Sequence, residues 1–320
     1  MKKFNLPKNA LLFAPMEGIT DNFYRNVIHK LYPEWDKYAC DFLRVPSTNP
    51  YPRSHIIKHY GREVLDSSIF KAKTIYQILT SPGAYTEETV RQINELEVPW
   101  IDLNLGCPSK TVCKNKGGSY LLDHHEELRI ILKSIRENFD GIFSCKIRVG
   151  YEDDKKFIST LKLIEDAGAQ TIMIHGRTRN ELYKGTANWD YIKNAVKAVS
   201  IPIVGNGDIW SKEDVERYFD YTGCHSIMLA RSALKTPYLA RLVKSNESDS
   251  KELRHQEIKK YFSTFYEETL KQKLPESSRI KRLKSVSRYI FDDLPQGDKI
   301  KRSFLLSKSF EEQMQVLGKI

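Results

Sequence analysis

Short unbroken apolar runs alternate with stretches whose apolar residues recur at helical spacing over the first 240 residues. Leu11 to Ala14 predicts a strand that stops at Pro15-Met16-Glu17-Gly18, and Thr20 or Asp21 then caps a helix to Leu31. Tyr38 to Val45 predicts a second strand, and Pro46 to Pro52 is loop because proline does not fit a central strand. Lys73 to Leu79 and Ile101 to Asn104 are the third and fourth strands, with a helix from Thr86 to Leu96 between them. A helix from His124 to Asn138 leads to a fifth strand, Ile142 to Val149. Helices at Asp154 to Ala167, Trp189 to Val199 and Ser211 to Asp220 separate three more strands, at Thr171 to Ile174, Ile201 to Val204 and His225 to Leu229. Runs this apolar are what buried parallel strands require, and eight alternating units point to a (β/α)8 TIM barrel. No G-x-G-x-x-G follows the first strand, which argues against a dinucleotide-binding sheet.

The pattern changes after Pro237. Ser245 to Ser250 reads as a connector, with Ser250 also able to cap a helix, and residues 251–271, 278–292 and 300–317 read as three helices. The expected organisation is a barrel domain over 1–242 and a helical domain over 243–320. Charge reinforces the division. The net charge is +10, and the last eighty residues hold 18 Lys/Arg against 12 Asp/Glu. In the middle helix Ile280, Leu283, Val286 and Ile290 form an apolar stripe, while Lys281, Lys284 and Arg288 share the other side with Arg279 and Arg282 nearby. Residues 271–288 carry seven basic residues and one acidic, Glu276. Such a face suits a phosphate backbone, and it is also what a solvated helix presents.

The five cysteines are odd in number and nothing at Met1 reads as a signal peptide, so a reducing cytoplasm is expected. Cys107 and Cys113 stand six apart without a second close pair, so no metal site is expected. No apolar run approaches the length of a membrane span.

The C-terminal ends of barrel strands form the active face of this architecture. Standing there are Pro15-Met16-Glu17, Gln77, Asn104 with Cys107, Lys146 with Arg148, His175 with Arg177, Asn206-Gly207-Asp208 and Ala230-Arg231. The last two segments follow strands seven and eight, where backbone N–H groups and an arginine can hold phosphate, although the glycines also suit simple turns. Lys146 lies in an apolar strand and calls for an anionic partner, either an electron-rich flavin ring or a phosphate. His175 can serve the same face or pack as a neutral core residue, and Gln77 can hold the amide edge of a ring. Cys107, between Gly106 and Pro108, can act as a nucleophile or proton donor, or pack as an inert thiol. Cys40, Cys145 and Cys224 read as packed thiols, and Cys113, in a Lys-rich loop, as exposed.

These stretches together resemble the tRNA-dihydrouridine synthase family. The matching segments are A-P-M-E-G at 14–18, the strand around Gln77, and D-L-N-L-G-C-P-S-K-T-V at 102–112 with Gly117-Gly118. They continue with C-K-I-R-V-G at 145–150, I-H-G-R-T at 174–178, G-N-G-D-I at 205–209 and Ala230-Arg231. The resemblance implies an FMN enzyme that uses NADPH to reduce the C5–C6 bond of particular tRNA uridines, with Cys107 giving a proton to C5. It implies cofactor contacts from Pro15, Met16, Glu17, Gln77, Lys146, His175, Asn206, Gly207, Asp208, Ala230 and Arg231. It implies substrate contacts from Asn104, Lys110, Arg148 and Arg177, and from Arg279 and Lys281 in the helical domain. The Asp41-Phe42-Leu43-Arg44-Val45 strand and Arg279-Ile280-Lys281 look most like the bacterial branch assigned to uridine 16 of the D-loop. One departure is Ala230-Arg231-Ser232, where many relatives carry Gly-Arg-Gly. The expected protein is monomeric, with tRNA as partner and no membrane or metal, and Lys110 to Lys116 as a mobile basic loop over the bound base. A flavin barrel acting on a free pyrimidine shares the FMN residues but gives the basic tail no task, and a non-catalytic RNA-binding barrel would lack flavin.

Overall fold

The computed structural model describes residues 3–318 except Asn246 and Arg288, so Arg288 of the expected basic face lies outside the described residues. Among the described residues nine parallel strands are present: β1 (Leu11–Phe13), β2 (Lys37–Ala39), β3 (Leu43–Arg44), β4 (Thr74–Leu79), β5 (Trp100–Leu105), β6 (Ile142–Arg148), β7 (Thr171–His175), β8 (Ile203–Asn206) and β9 (Ser226–Leu229). Their order is β2-β1-β9-β8-β7-β6-β5-β4-β3, and an additional β2–β4 pairing closes the ring. The result is a (β/α)8 barrel in which β2 and β3 share one position. Tyr38 to Val45 is therefore two short strands rather than one. Cys40 still donates to the Ile75 carbonyl at 3.0 Å, but the Asp41 N–H turns away to the Thr20 carbonyl at 3.3 Å, which interrupts the ladder.

Side chains on a strand alternate between the barrel interior and the helical layer. Leu12, Ala14, Ala39, Ile75, Trp100, Ile142, Met173, Val204 and Met228 pack into one cluster. Positions two and four further along the same strands continue that inner face, which places Gln77, Asp102, Asn104, Ser144, Lys146, His175 and Asn206 inside. Phe4 packs edge-on to Trp100, with ring centroids 5.7 Å apart. The outer helix that follows β8 carries the cap its sequence asks for. Ser211 accepts from the Asp214 N–H to begin helix Lys212–Thr222, which ends at Gly223 in the left-handed region.

The chain divides into two compact units, one built from residues up to Phe23 and from Trp35 to Ala230, the other from Tyr24–Glu34 and from Arg231 onward. This boundary differs from 242/243. The short helices Arg231–Lys235 and Leu239–Lys244 go with the later helices, and so does Tyr24–Glu34, a long-range association that local pattern does not carry. The Ser245–Ser250 connector is thus internal to the second unit, and Ser250 caps helix Lys251–Lys271. The expected helix 278–292 is shorter, Glu276–Val286, starting directly after Pro275. The expected helix 300–317 is two, Gly297–Leu306 and Phe310–Leu317, because the Ser309 side chain caps a new start by accepting from the Glu312 N–H. Within this unit Tyr261, Phe262, Phe265, Phe291 and Phe304 form an aromatic core, and Lys30 pairs with Glu268 at 3.0 Å. No described helix is long and apolar enough to cross a membrane.

Candidate active site

The inner-face polar residues gather toward the C-terminal ends of the strands. Register sets them side by side: Gln77 opposite Asp102, Asn104 opposite Lys146, and His175 between Arg148 and Asn206. β5 then turns into the cysteine loop. The Asn104 Oδ1 accepts from the Gly106 N–H at 3.1 Å and the Cys107 N–H at 3.0 Å. The Cys107 carbonyl accepts from the Ser119 hydroxyl at 2.8 Å, and the Gly106 carbonyl from the Arg148 Nε at 3.0 Å. The loop is therefore clamped from three sides. Burial holds the Cys107 thiol above its ordinary pKa; Glu17 pushes the same way, against a backbone contact at Ser109 and the Arg44 charge. At neutral pH it is a thiol rather than a thiolate.

Gly118 is part of the clamp. Its φ is +60°, and a Cβ there would fall 3.1 Å from the Cys107 carbonyl and 3.2 Å from the Cys107 Cβ. Gly118→Ala is expected to cost about 1–2 kcal/mol from the left-handed backbone alone and to displace Cys107. Thermal unfolding together with turnover checks this; unchanged turnover would show that the position of the loop is not critical.

Lys146 is half-buried, and its ammonium makes no hydrogen bond or close ion pair among the described residues. Burial pulls its pKa down to about 8; Arg148 adds to that, and Asp102 opposes it. An ammonium left uncommitted beside the cysteine loop fits an electron-rich ring or an anion. Gly207 closes the neighbouring segment. A Cβ on Gly207, at φ +124°, would lie 2.7 Å from the Ala187 Cβ and 3.0 Å from the His175 Cδ2. In the loop after β1, Pro15 and Met16 are half-buried and Glu17 is exposed.

Several predicted residues stand on this face but commit their side chains to the protein. Arg148, 3% exposed, donates to the carbonyls of Gly106, Thr178 and Leu182. Arg177, 1% exposed, donates to the carbonyls of Lys184 and Gly185 and pairs with Asp208 at 2.5 Å. Both arginines thus anchor the loop after β7 instead of reaching out as free cations. Asp208 also accepts from the Ala187 N–H at 2.8 Å, and the Asn206 amide donates to the Met228 carbonyl at 2.7 Å. What this segment can offer a phosphate is therefore its backbone. His175 is buried, its Nε2 3.4 Å from Arg177.

Lys110 is exposed and opens a short helix, Lys110–Lys114, so part of the expected basic loop is helical. That helix turns Val112 and Cys113 inward, and Cys113 is buried rather than exposed, 3.5 Å from the Ser119 hydroxyl. Ala230 ends the barrel unit, whereas Arg231 begins the second unit at the start of helix Arg231–Lys235. Arg279 and Lys281 also lie in the second unit. Lys281 is exposed; the Arg279 guanidinium lies over Tyr266, which stacks on Phe310 with centroids 3.6 Å apart. No group of three or more His, Cys, Asp or Glu able to hold a metal occurs among the described residues.

Sequence reasoning missed Asp102, Ser144 and Ser119. The signal for the first two was strand parity: W-I-D-L-N-L and I-F-S-C-K-I-R put Asp102 on the face of Asn104, and Ser144 on that of Lys146. Burial pushes the Asp102 carboxyl up to about 7, opposed by hydrogen bonds from Ser144 and Gln77 and by the charge of Lys146.

A family model described as Dihydrouridine synthase (Dus) matches residues 12–318. A "tRNA-dihydrouridine(16) synthase" of Shewanella oneidensis is 29% identical over 321 residues, covering 96% of this chain and 96% of that protein. One of the same name from Pseudomonas syringae pv. tomato is 33% identical over 237 residues, covering 73% of this chain and 74% of that protein. Among solved structures, a 2-naphthoyl-CoA reductase complex is similar with a TM-score of 0.56 at 13% identity, which bears on fold alone; the match covers 75% of this chain and 50% of that one.

Proposed function

The chain belongs to the dihydrouridine synthase family, and we propose that it reduces the C5–C6 double bond of uridine 16 in the D-loop of tRNA, with FMN as its flavin and NADPH as reductant. The observation that carries this reading is Cys107, a thiol kept protonated by burial on a clamped loop beside an uncommitted ammonium. Bound FMN, once reduced by NADPH, would supply hydride to C6 of the uracil ring. The chain's own task is then the proton. An anion developing at C5 needs a matched acid, and the Cys107 Sγ–H provides it without the loop having to reorganise. Asn104 and Lys146 flank that position. The names of the two curated relatives support tRNA and position 16. A folded D-loop base must leave its stacking partners to react, and the basic face of helix Glu276–Val286, with Lys281 exposed, offers contacts to the phosphate backbone.

The flavin assignment has its own test. Lys146 is an ammonium below about pH 8 and neutral above it, so an electron-rich or anionic cofactor is held by the low-pH form. FMN affinity of the stripped protein, followed by flavin fluorescence, is expected to weaken as pH rises through 8, and Lys146→Met is expected to weaken it and flatten the profile. FMN affinity equal to wild type in Lys146→Met at all pH values would remove Lys146 from the cofactor site.

A further inference from the structure

Two one-way hydrogen-bond chains end on the same buried carboxylate. One begins at the cysteine loop: the Gly106 and Cys107 N–H groups donate to Asn104 Oδ1, Asn104 Nδ2 donates to Gln77 Oε1 at 2.9 Å, and Gln77 Nε2 donates to Asp102 Oδ2 at 2.7 Å. The other begins at Trp100, whose Nε1–H donates to the Ser144 Oγ at 2.8 Å, and the Ser144 hydroxyl donates to Asp102 Oδ1 at 2.5 Å. The polarity is forced. Backbone N–H groups only donate, so Asn104 must turn its oxygen toward them and its amide toward Gln77. Gln77 must in turn present its oxygen to Asn104 and its amide to Asp102. The chain therefore needs an acceptor at its far end. Asp102 and Gln77 are both 0% exposed, so bulk solvent does not supply that acceptor.

We propose that Asp102 is a positioning residue for the cysteine loop: its carboxylate terminates the chain that runs through Gln77 and Asn104 and thereby holds the Gly106–Cys107 backbone in place. Asp102 is two residues below Asn104 on the same strand face and touches neither the loop nor the thiol itself, so its effect travels through two carboxamides. The geometry stands whatever Cys107 does; only its catalytic consequence rests on the proton-donor reading.

The test is residue-resolved amide hydrogen exchange at Gly106 and Cys107 in the purified protein with its native cofactor content. Asp102→Leu keeps the branched side-chain shape but removes the acceptor, and exchange at these two amides is expected to become about tenfold faster, as loss of one buried hydrogen-bonded link implies. Exchange in helix His125–Glu137, outside the chain, should stay the same. Asp102→Asn retains one acceptor oxygen for Gln77 and is expected to return the two amides to within about threefold of wild type. If Asp102→Leu does not fold, Gln77→Leu cuts the same chain at its middle link and is held to the same tenfold criterion. Unchanged exchange at Gly106 and Cys107 in the leucine variant, or an asparagine variant as fast as the leucine one, would overturn the proposal. Faster exchange with tRNA turnover preserved would uphold the positioning role and count against Cys107 as the acid.

Discussion

Cys107→Ala is expected to lower the rate of tRNA reduction by about 10²–10⁴-fold, the usual contribution of a positioned general acid. Flavin content and flavin reduction by NADPH should stay at wild-type levels, because the thiol is asked only for a proton. Cys113 cannot take over. It is buried and its thiol lies 3.8 Å from the carbonyl of Cys107 itself. The sign of the pH dependence follows from the raised thiol pKa: the protonated form is active, so with the flavin kept saturating the reduction step should persist through neutral pH and decline only above the ordinary thiol range. Single-turnover reduction of unmodified tRNA by pre-reduced enzyme measures both effects. Full activity of the alanine variant would eliminate the acid assignment.

Arg177→Met is expected to destabilise the barrel unit by about 3–5 kcal/mol. Arg177 is 1% exposed, and removing it leaves the Asp208 carboxylate without the guanidinium it faces at 2.5 Å. It also frees the carbonyls of Lys184 and Gly185. The cost comes from removing the guanidinium that neutralises a largely buried carboxylate, so Arg177→Met/Asp208→Asn should recover a substantial part of the loss. Chemical denaturation of the single and double variants provides the cycle. A single variant within about 0.5 kcal/mol of wild type, the range of ordinary surface substitutions, would show that the pair contributes little.

These expectations also mark where sequence was informative. The apolar runs placed all eight barrel positions, because a buried parallel strand has to be continuous and apolar whatever surrounds it. Lys146 stood out for the same reason: an isolated charge in such a run demands explanation. The arginines were legible as strand-end residues but not in their role. Whether Arg148 and Arg177 reach outward or bind carbonyls depends on the path of residues 178–185, which no local pattern encodes. The split of Tyr38 to Val45 depends on the distant Thr20 carbonyl in the same way. Asp102 was within reach. Read by alternation rather than as a continuous run, Trp100 to Leu105 shows its two polar residues on one face, and the hydrogen-bond chain below the cysteine loop follows. Cys113 was misread because five residues are too few to reveal that the Lys-rich segment is a helix with an apolar side.

The most direct measurement is site-resolved mapping of dihydrouridine in the tRNA of cells lacking this chain, complemented with the wild-type protein or with Cys107→Ala. The account predicts that dihydrouridine disappears from position 16, returns with the wild-type chain and does not return with the alanine variant. Undiminished dihydrouridine at position 16 in the cells lacking the chain, or its full return with Cys107→Ala, would contradict it.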